Sequence, residues 1–293
     1  MTHLLAQFLI IFGMSILAGA IGSLLGLGGG IIVIPVLTLF LHIDFRLAAG
    51  ASIVSIIATS SGSAATYVKD RLSNIRVGML LEVLTSLGAV CGALLAGLAG
   101  GSSLFIVFAL VLMYSLYPMG RKILAETGLR KGLETTEKLE LQKPDPLALK
   151  LGFVGSYHDP ALGRQVEYSL RHVPAGCTIM YAAGFASGLL GIGSGVFKVL
   201  ALDTAMGMPM KASTATSNFM IGVTAAASAG IYFLRGDIDP LIAAPVALGV
   251  LAGSQIGTRL LSRLAGESIR VIFFIVLALI SVQMLLRGFN ISL

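Results

Sequence analysis

AGAIGSLLGLGGGIIVI (residues 18–34) and AGFASGLLGIGSGVFKV (residues 183–199) are the two stretches on which the fold turns. Laid one on the other, they agree at seven of 17 positions: Ala18/Ala183, Gly19/Gly184, Leu24/Leu189, Leu25/Leu190, Gly26/Gly191, Gly28/Gly193 and Gly30/Gly195. The same offset sets Arg46 on Lys211, Ser52 on Ser217, Ser63 on Ser228 and Tyr67 on Tyr232. One offset held over some 50 residues marks an internal repeat, and paired glycine-interrupted apolar segments point to the binding site of a transporter built from two halves. Further along, Gly88-x₃-Gly92-x₃-Ala96 resembles Gly249-x₃-Gly253-x₃-Gly257, a spacing that lets helix backbones approach closely.

Composition places these stretches in a membrane. Of 293 residues, 56% are hydrophobic and 12% charged, about half the charge of a soluble domain, and the mean hydropathy is +0.93. About 20 apolar residues cross a bilayer as a helix. Runs of that size lie at 5–26, 46–68, 77–99, 102–121, 175–191, 210–233, 240–262 and 268–287. Two runs of about 13 residues, 30–42 and 195–208, follow the glycine breaks and are short for a full crossing. The N-terminus has no basic stretch before its apolar core, so it reads as a first membrane segment and not as a cleaved signal.

Charge sets the orientation. The net charge is +6, yet nine of the 20 basic residues stand in 121–173 beside seven of the 14 acids. That pattern is a polar loop with flanking positive charges, not a basic face for nucleic acid. With 122–173 in the cytoplasm, seven basic residues outside that loop face inward and three (Arg46, Arg235, Arg287) face outward. The first glycine hairpin then starts and ends outside and the second starts and ends inside, so the halves are inverted repeats. Cys91 and Cys177 form no CxxC and read as packing residues.

Within the loop, RKILAETGLRKGLETTEKLE permits a helix or a tether, and Pro144, Asp145 and Pro146 break it. LALKLGFVGSYHDP and GRQVEYSLRHV read as two strands around a turn at His158 to Gly163. His158 and Asp159 read as turn residues, since no third ligand lies close in sequence.

Several residues could carry chemistry. Irregular backbone at membrane depth survives only inside protein or beside a wet cavity. The N–H groups after Gly26–Gly30 and Gly191–Gly195 could therefore face an anion. A GxGxxG nucleotide motif fails, since Ile31 and Val196 stand where glycine is required, and there is no Walker lysine. Lys198, whose repeat mate is Val33, is an ammonium in an apolar run: it binds an anion, pairs with Asp203 five residues on, or snorkels to an interface. The polar cluster Thr214, Thr216, Ser217 and Asn218 matches the serine-rich run Ser52, Ser55, Thr59, Ser60 and Ser61; Asn218 is its best binding candidate. Glu82, near a cytoplasmic end where it can reach water, is a candidate proton site. No Ser-His-Asp set, HExxH or metal-ligand spacing is present, so no enzyme and no cofactor is expected.

LLGLGGGIIVIPVL, LLGIGSGVFKVLAL, ATSNFMIG (215–222) and YFLRGDIDP (232–240) resemble the sulfite exporter TauE/SafE family of membrane proteins, across about four-fifths of the chain. The resemblance implies an inner-membrane secondary transporter for sulfite, sulfonates or related small organic anions, coupled to protons or another ion. It implies site residues Gly26, Gly28, Gly29, Gly30, Gly191, Gly193, Gly195, Thr216, Ser217 and Asn218. Ser194 departs from the pattern, standing in the middle of what is usually a run of three glycines.

The reading is an all-α integral membrane protein of two inverted repeats, each a glycine-rich helical hairpin plus three transmembrane helices, with a small cytoplasmic α/β insert. The units are 1–121, 122–173 and 174–293. Substrate binding falls to Gly28, Gly29, Gly30, Gly193, Ser194, Gly195, Lys198, Thr216, Ser217 and Asn218, with ion coupling at Glu82 or Asp203. The partners are a small anion and the lipid bilayer; the oligomeric state stays open, a dimer being compatible with the sequence. The alternatives are a channel or cation carrier, and a membrane-embedded sensor or assembly factor acting through the insert.

Overall fold

A computed structural model describes residues 2–97, 101–128, 145–159, 163–264 and 266–289. Apolar runs without internal turn chemistry become long helices, and polar residues between them become caps. The order is α1 (Thr2–Leu25), α2 (Gly30–Pro35), α3 (Phe45–Lys69), α4 (Ile75–Ala96), α5 (Gly101–Gly128), α6 (Pro146–Lys150), β1 (Val154–Asp159), β2 (Arg164–Ser169), α7 (Val173–Leu190), α8 (Gly195–Leu200), α9 (Met210–Leu234), α10 (Pro240–Arg263) and α11 (Gly266–Gly288). Eight of these helices are long and apolar enough to cross a membrane, and they fall on the eight expected runs. Asp44 caps α3 through Arg46 N–H, Asn74 caps α4 through Val77 N–H, and Asp239 caps α10 through Leu241 N–H with Pro240 in the first turn.

The short runs after the glycine breaks are helical but incomplete. α2 continues into a wide π turn at Val36–Phe40, and α8 does the same at Ala201–Ala205. The two turns fall on one another at the offset that carries Gly26 onto Gly191. Wide turns of this kind concentrate at functional sites.

The two halves are bound by the same contacts at that constant offset. α1 packs against α10, and its counterpart α7 packs against α4. A Cβ on Gly19 would lie 2.4 Å from the Val250 carbonyl oxygen, and one on Gly184 would lie 1.9 Å from that of Thr85. Gly253 and Gly88 meet the carbonyls of Ile16 and Tyr181, and Gly257 and Gly92 those of Ala20 and Phe185, in the same way. Each of these residues and its counterpart keep the spacing of Gly26 and Gly191. The register is therefore Gly88 with Gly253 and Gly92 with Gly257, one helical turn away from the looser match read in the sequence. Backbone rides on backbone here because no side chain intervenes, which is how helices associate where lipid removes the hydrophobic incentive.

The insert differs from the sequence reading in two ways. Residues 121–128 continue α5 as helix beyond the expected boundary at 121, while 129–144 lie outside the described residues. Pro146–Lys150 is helical and not strand, because Asp145 accepts a hydrogen bond from Leu147 N–H and Pro146 occupies the first turn. The two strands do form, antiparallel, with Val154 opposite Ser169 and Asp159 opposite Arg164. The insert buries Phe153, Tyr157, Val166 and Leu170 in the same apolar core as the membrane helices.

Adding a methyl group at Gly184 requires the α4–α7 backbones to part. Gly184→Ala is expected to destabilise the protein by about 1–3 kcal/mol. Gly230→Ala, where nothing lies within 4 Å of the new carbon, is expected to leave stability unchanged or raise it by up to about 1 kcal/mol. Thermal unfolding of the two variants in detergent micelles reads the contrast.

Candidate functional site

The two glycine breaks meet at the centre of the bundle, between α3 and α9. Gly26, Gly28, Gly191 and Gly193 all have positive φ, between 65° and 76°, a region costly for any residue with a Cβ. Such turns free backbone carbonyls from helical bonding, and those groups need partners in an apolar interior. The repeat supplies them crosswise. Ser52 of α3 donates to the Gly191 carbonyl of the second break at 2.8 Å. Its counterpart Ser217 of α9 donates to the Gly26 carbonyl of the first at 2.8 Å and to Gly195 at 3.3 Å. Each half thus satisfies the other's break. Within each half, Tyr67 donates to the Ser23 carbonyl at 3.0 Å and Tyr232 to that of Gly188 at 2.9 Å, again one offset apart.

The departure at Ser194 has a backbone cause. Gly29 precedes α2 with φ 74°, so only glycine serves there without strain. Ser194 precedes α8 with φ −68°, an ordinary value for any residue. The second tip is turned differently and admits a hydroxyl. The close fit is otherwise the same: Cβ atoms on Gly28 and Gly193 would lie 2.5 and 2.6 Å from the Cδ1 atoms of Ile221 and Ile56.

Three buried polar atoms at this junction find no hydrogen-bond partner among the described residues: Ser194 Oγ, Thr214 Oγ1 and Asn218 Oδ1. Asn218 is held nonetheless, its amide nitrogen donating to the Ser23 carbonyl at 2.7 Å and its backbone carbonyl accepting from Ser60 at 2.6 Å. A buried polar group without a partner costs about 1–3 kcal/mol, so three beside one junction call for an explanation.

A buried ion pair between α8 and α4 meets α9 further along, at Thr224. Lys198 Nζ is fully buried and donates to Glu82 Oε2 of α4 at 2.7 Å and to Thr224 Oγ1. Thr224 in turn donates to Glu82 Oε1, which also accepts from Ser86 at 3.1 Å. Glu82 is 5% exposed, so it does not reach water as its position near a cytoplasmic end led one to expect. Lys198 pairs neither with Asp203 nor with an interface. Asp203 binds Arg270 of α11 at 2.7 Å. The repeat mates of Lys198, Glu82 and Thr224 are Val33, Ala247 and Thr59, so the ion pair, which takes one charge from each half, has no charged counterpart at the position related to it by the repeat. At 1.5 Å per residue Thr224 lies about 9 Å beyond Asn218 on α9.

Of the residues expected to bind substrate, Gly28, Gly29, Gly30, Gly193, Ser194, Gly195, Ser217 and Asn218 gather at the junction. Thr216 faces elsewhere, accepting from Asn74 N–H at 3.0 Å under the α3–α4 loop. Lys198 leads to Glu82. Sequence reasoning missed Thr224, which looks like any helical threonine, and Asp159, read as a turn residue but paired with Lys211 at 2.7 Å across the insert. Burial and that carboxylate push the nearby Tyr157 phenol above its ordinary pKa. Among the described residues, no group of three His, Cys, Asp or Glu could hold a metal ion.

The family model described as "Sulfite exporter TauE/SafE" matches residues 11–284. The chain is 27% identical over 289 residues to "Probable membrane transporter protein YunE" of Bacillus subtilis (strain 168), covering 96% of this chain and 98% of that one. It is 24% identical to "Probable membrane transporter protein YdhB" of the same organism over 86% of this chain and 87% of that one. To "Probable membrane transporter protein ORF9" of Sinorhizobium sp it is 23% identical, over 97% and 93%. No solved structure matches the chain significantly.

Removing one member of a buried ion pair leaves the other charge uncompensated. Lys198→Met alone is expected to cost about 3–5 kcal/mol, and Glu82→Leu with Lys198→Met much less. Unfolding midpoints of the single and double variants in the same detergent test this: equal losses in both would mean that the pair is not what holds Glu82 in place.

Proposed function

The chain belongs to the sulfite exporter TauE/SafE family, a family of multi-pass inner-membrane transporters, and from that footing we propose that it carries a small sulfur-containing anion, sulfite or an organosulfonate, by alternating access. The halves lie inverted in the membrane with the insert in the cytoplasm, as the distribution of basic residues supports. The anion sits where the glycine breaks meet. The observation that carries this reading is the set of three partnerless buried polar atoms, Ser194 Oγ, Thr214 Oγ1 and Asn218 Oδ1, beside backbone that only glycine can form. Hydroxyls of Ser194 and Thr214 donate to the oxygens of such an anion, while Asn218 Oδ1 accepts from a protonated oxygen, as bisulfite would offer. Gly28, Gly29, Gly30, Gly193 and Gly195 add no side chains of their own to the wall, and Ser217 holds it in shape through its bond to the Gly26 carbonyl.

Lys198 supplies the positive charge. Its ammonium is neutralised by Glu82 in this conformation. A proton taken up by Glu82 releases Lys198 toward the anion, so proton and anion travel together. Asp203, paired with Arg270 on the wide turn after α8, is the second candidate for ion coupling.

Uptake of labelled sulfite or taurine into proteoliposomes tests the assignment. Asn218→Ala, through a lost contact worth about 1.4 kcal/mol or more, and Gly193→Ala, through a methyl group forced against Ile56 at positive φ, are each expected to lower the initial rate at least about tenfold. Glu82→Gln with normal anion binding but no response to an imposed pH gradient would place coupling at Glu82. Unchanged transport in both Asn218→Ala and Gly193→Ala would sink the site.

A further inference from the structure

The insert ends on a buried ion pair that the transport site does not use. Lys211 stands in the first turn of α9, and its Nζ donates to Asp159 Oδ1, at the end of β1, at 2.7 Å. Both are buried, Lys211 at 1% exposure and Asp159 at 3%. The counterpart of Lys211 in the first half, Arg46, is exposed. The insert is what makes the difference, since it covers the first turn of α9. It is fastened there by Asn74, whose side chain donates to the Val154 carbonyl at 3.2 Å, and by Arg171 N–H, which donates to the Met206 carbonyl at 3.0 Å.

Lys211, Thr214 and Asn218 are spaced three and four apart, so they share one face of α9. That face runs from the insert to the glycine junction: the Thr214 backbone lies against Gly26, and Asn218 binds Ser23. Two of the three partnerless buried atoms, Thr214 Oγ1 and Asn218 Oδ1, stand on it. The face carries a cation at its insert-side end and unsatisfied polar atoms further along, and the carboxylate that meets that cation belongs to the insert.

We propose that Lys211 is an entry site for small anions on the insert-bearing side of the membrane, and that Asp159 is a tethered carboxylate which occupies it and closes the path to the glycine junction. The inference rests on the reading of the substrate as an anion. Unseating the β-hairpin withdraws Asp159 and presents Lys211 to the incoming anion; the anion and Asp159 compete for one ammonium. Charge-assisted bonds of this kind are strong enough to hold a gate and exchangeable enough to release it when a second anion takes the place of the first.

The test uses the full chain in nanodiscs with Cys91 and Cys177 replaced by serine and a single reporter, Ser213→Cys, in the buried first turn of α9. A small neutral methanethiosulfonate reads how often that turn is uncovered. Asp159→Asn is expected to raise the labelling rate about fivefold or more, and methanesulfonate is expected to slow the faster reaction. Adding Lys211→Met should abolish that slowing. The exchanged pair Asp159→Lys with Lys211→Asp should return labelling to the slow rate, which separates a lost latch from a misfolded insert. Equal labelling in the parent and Asp159→Asn overturns the gate, and fast labelling that neither methanesulfonate nor inorganic phosphate slows overturns the anion site. Slowing by phosphate but not by methanesulfonate supports the gated anion site and counts instead against a sulfur-containing substrate.

Discussion

The structure depends on broken backbone that must be satisfied without water. Two glycine turns at the middle of an apolar bundle expose carbonyls that a continuous helix would have consumed, and lipid offers them nothing. Ser52 and Ser217 meet that need by reaching across, each from one half to the break of the other. Because the exchange is reciprocal, neither hairpin can be placed without the opposite long helix. The crossed packing of α1 on α10 and α7 on α4 follows from the same requirement, with glycine against carbonyl along both seams.

Much of this is legible in the sequence. The eight spans, the paired breaks and the single offset that relates the halves are patterns in one dimension, and hydrophobic length and glycine spacing report them directly. The serine and tyrosine matches, Ser52 with Ser217 and Tyr67 with Tyr232, are hydrogen bonds to the breaks. What stays hidden is pairing between distant segments. Glu82 and Lys198 are 116 residues apart and Asp159 and Lys211 are 52 apart, and nothing in a single sequence joins them. Asp159 looks like a turn residue because only the fold brings α9 beneath it. The helix at Pro146–Lys150 escapes the sequence for a local reason: its apolar alternation resembles a strand, and the Asp145 cap outweighs that pattern.

The site combines two kinds of order. Around the glycine junction the halves agree in the glycine turns, in Ser52 and Ser217, and in the isoleucines, Ile56 and Ile221, that close on Gly193 and Gly28. Around Lys198 they part, and of Lys198, Glu82 and Thr224 only the threonine has a like counterpart. Ser194 stands between them: the backbone there is relaxed enough to allow a side chain, and the side chain that results is polar and unsatisfied.

The apolar counterparts of the buried ion pair have a consequence for how such a protein can change over time. Val33 and Ala247 stand where Lys198 and Glu82 would be, one in each half of a chain otherwise built on one plan. The scaffold therefore tolerates this position either charged or neutral. The repeat supplies a second copy of this contact between the halves, free of the ion pair, beside a glycine turn that still forms. A change in one copy leaves the other to keep the frame intact, so the side chains of such a chain can drift there without passing through an unfolded ancestor.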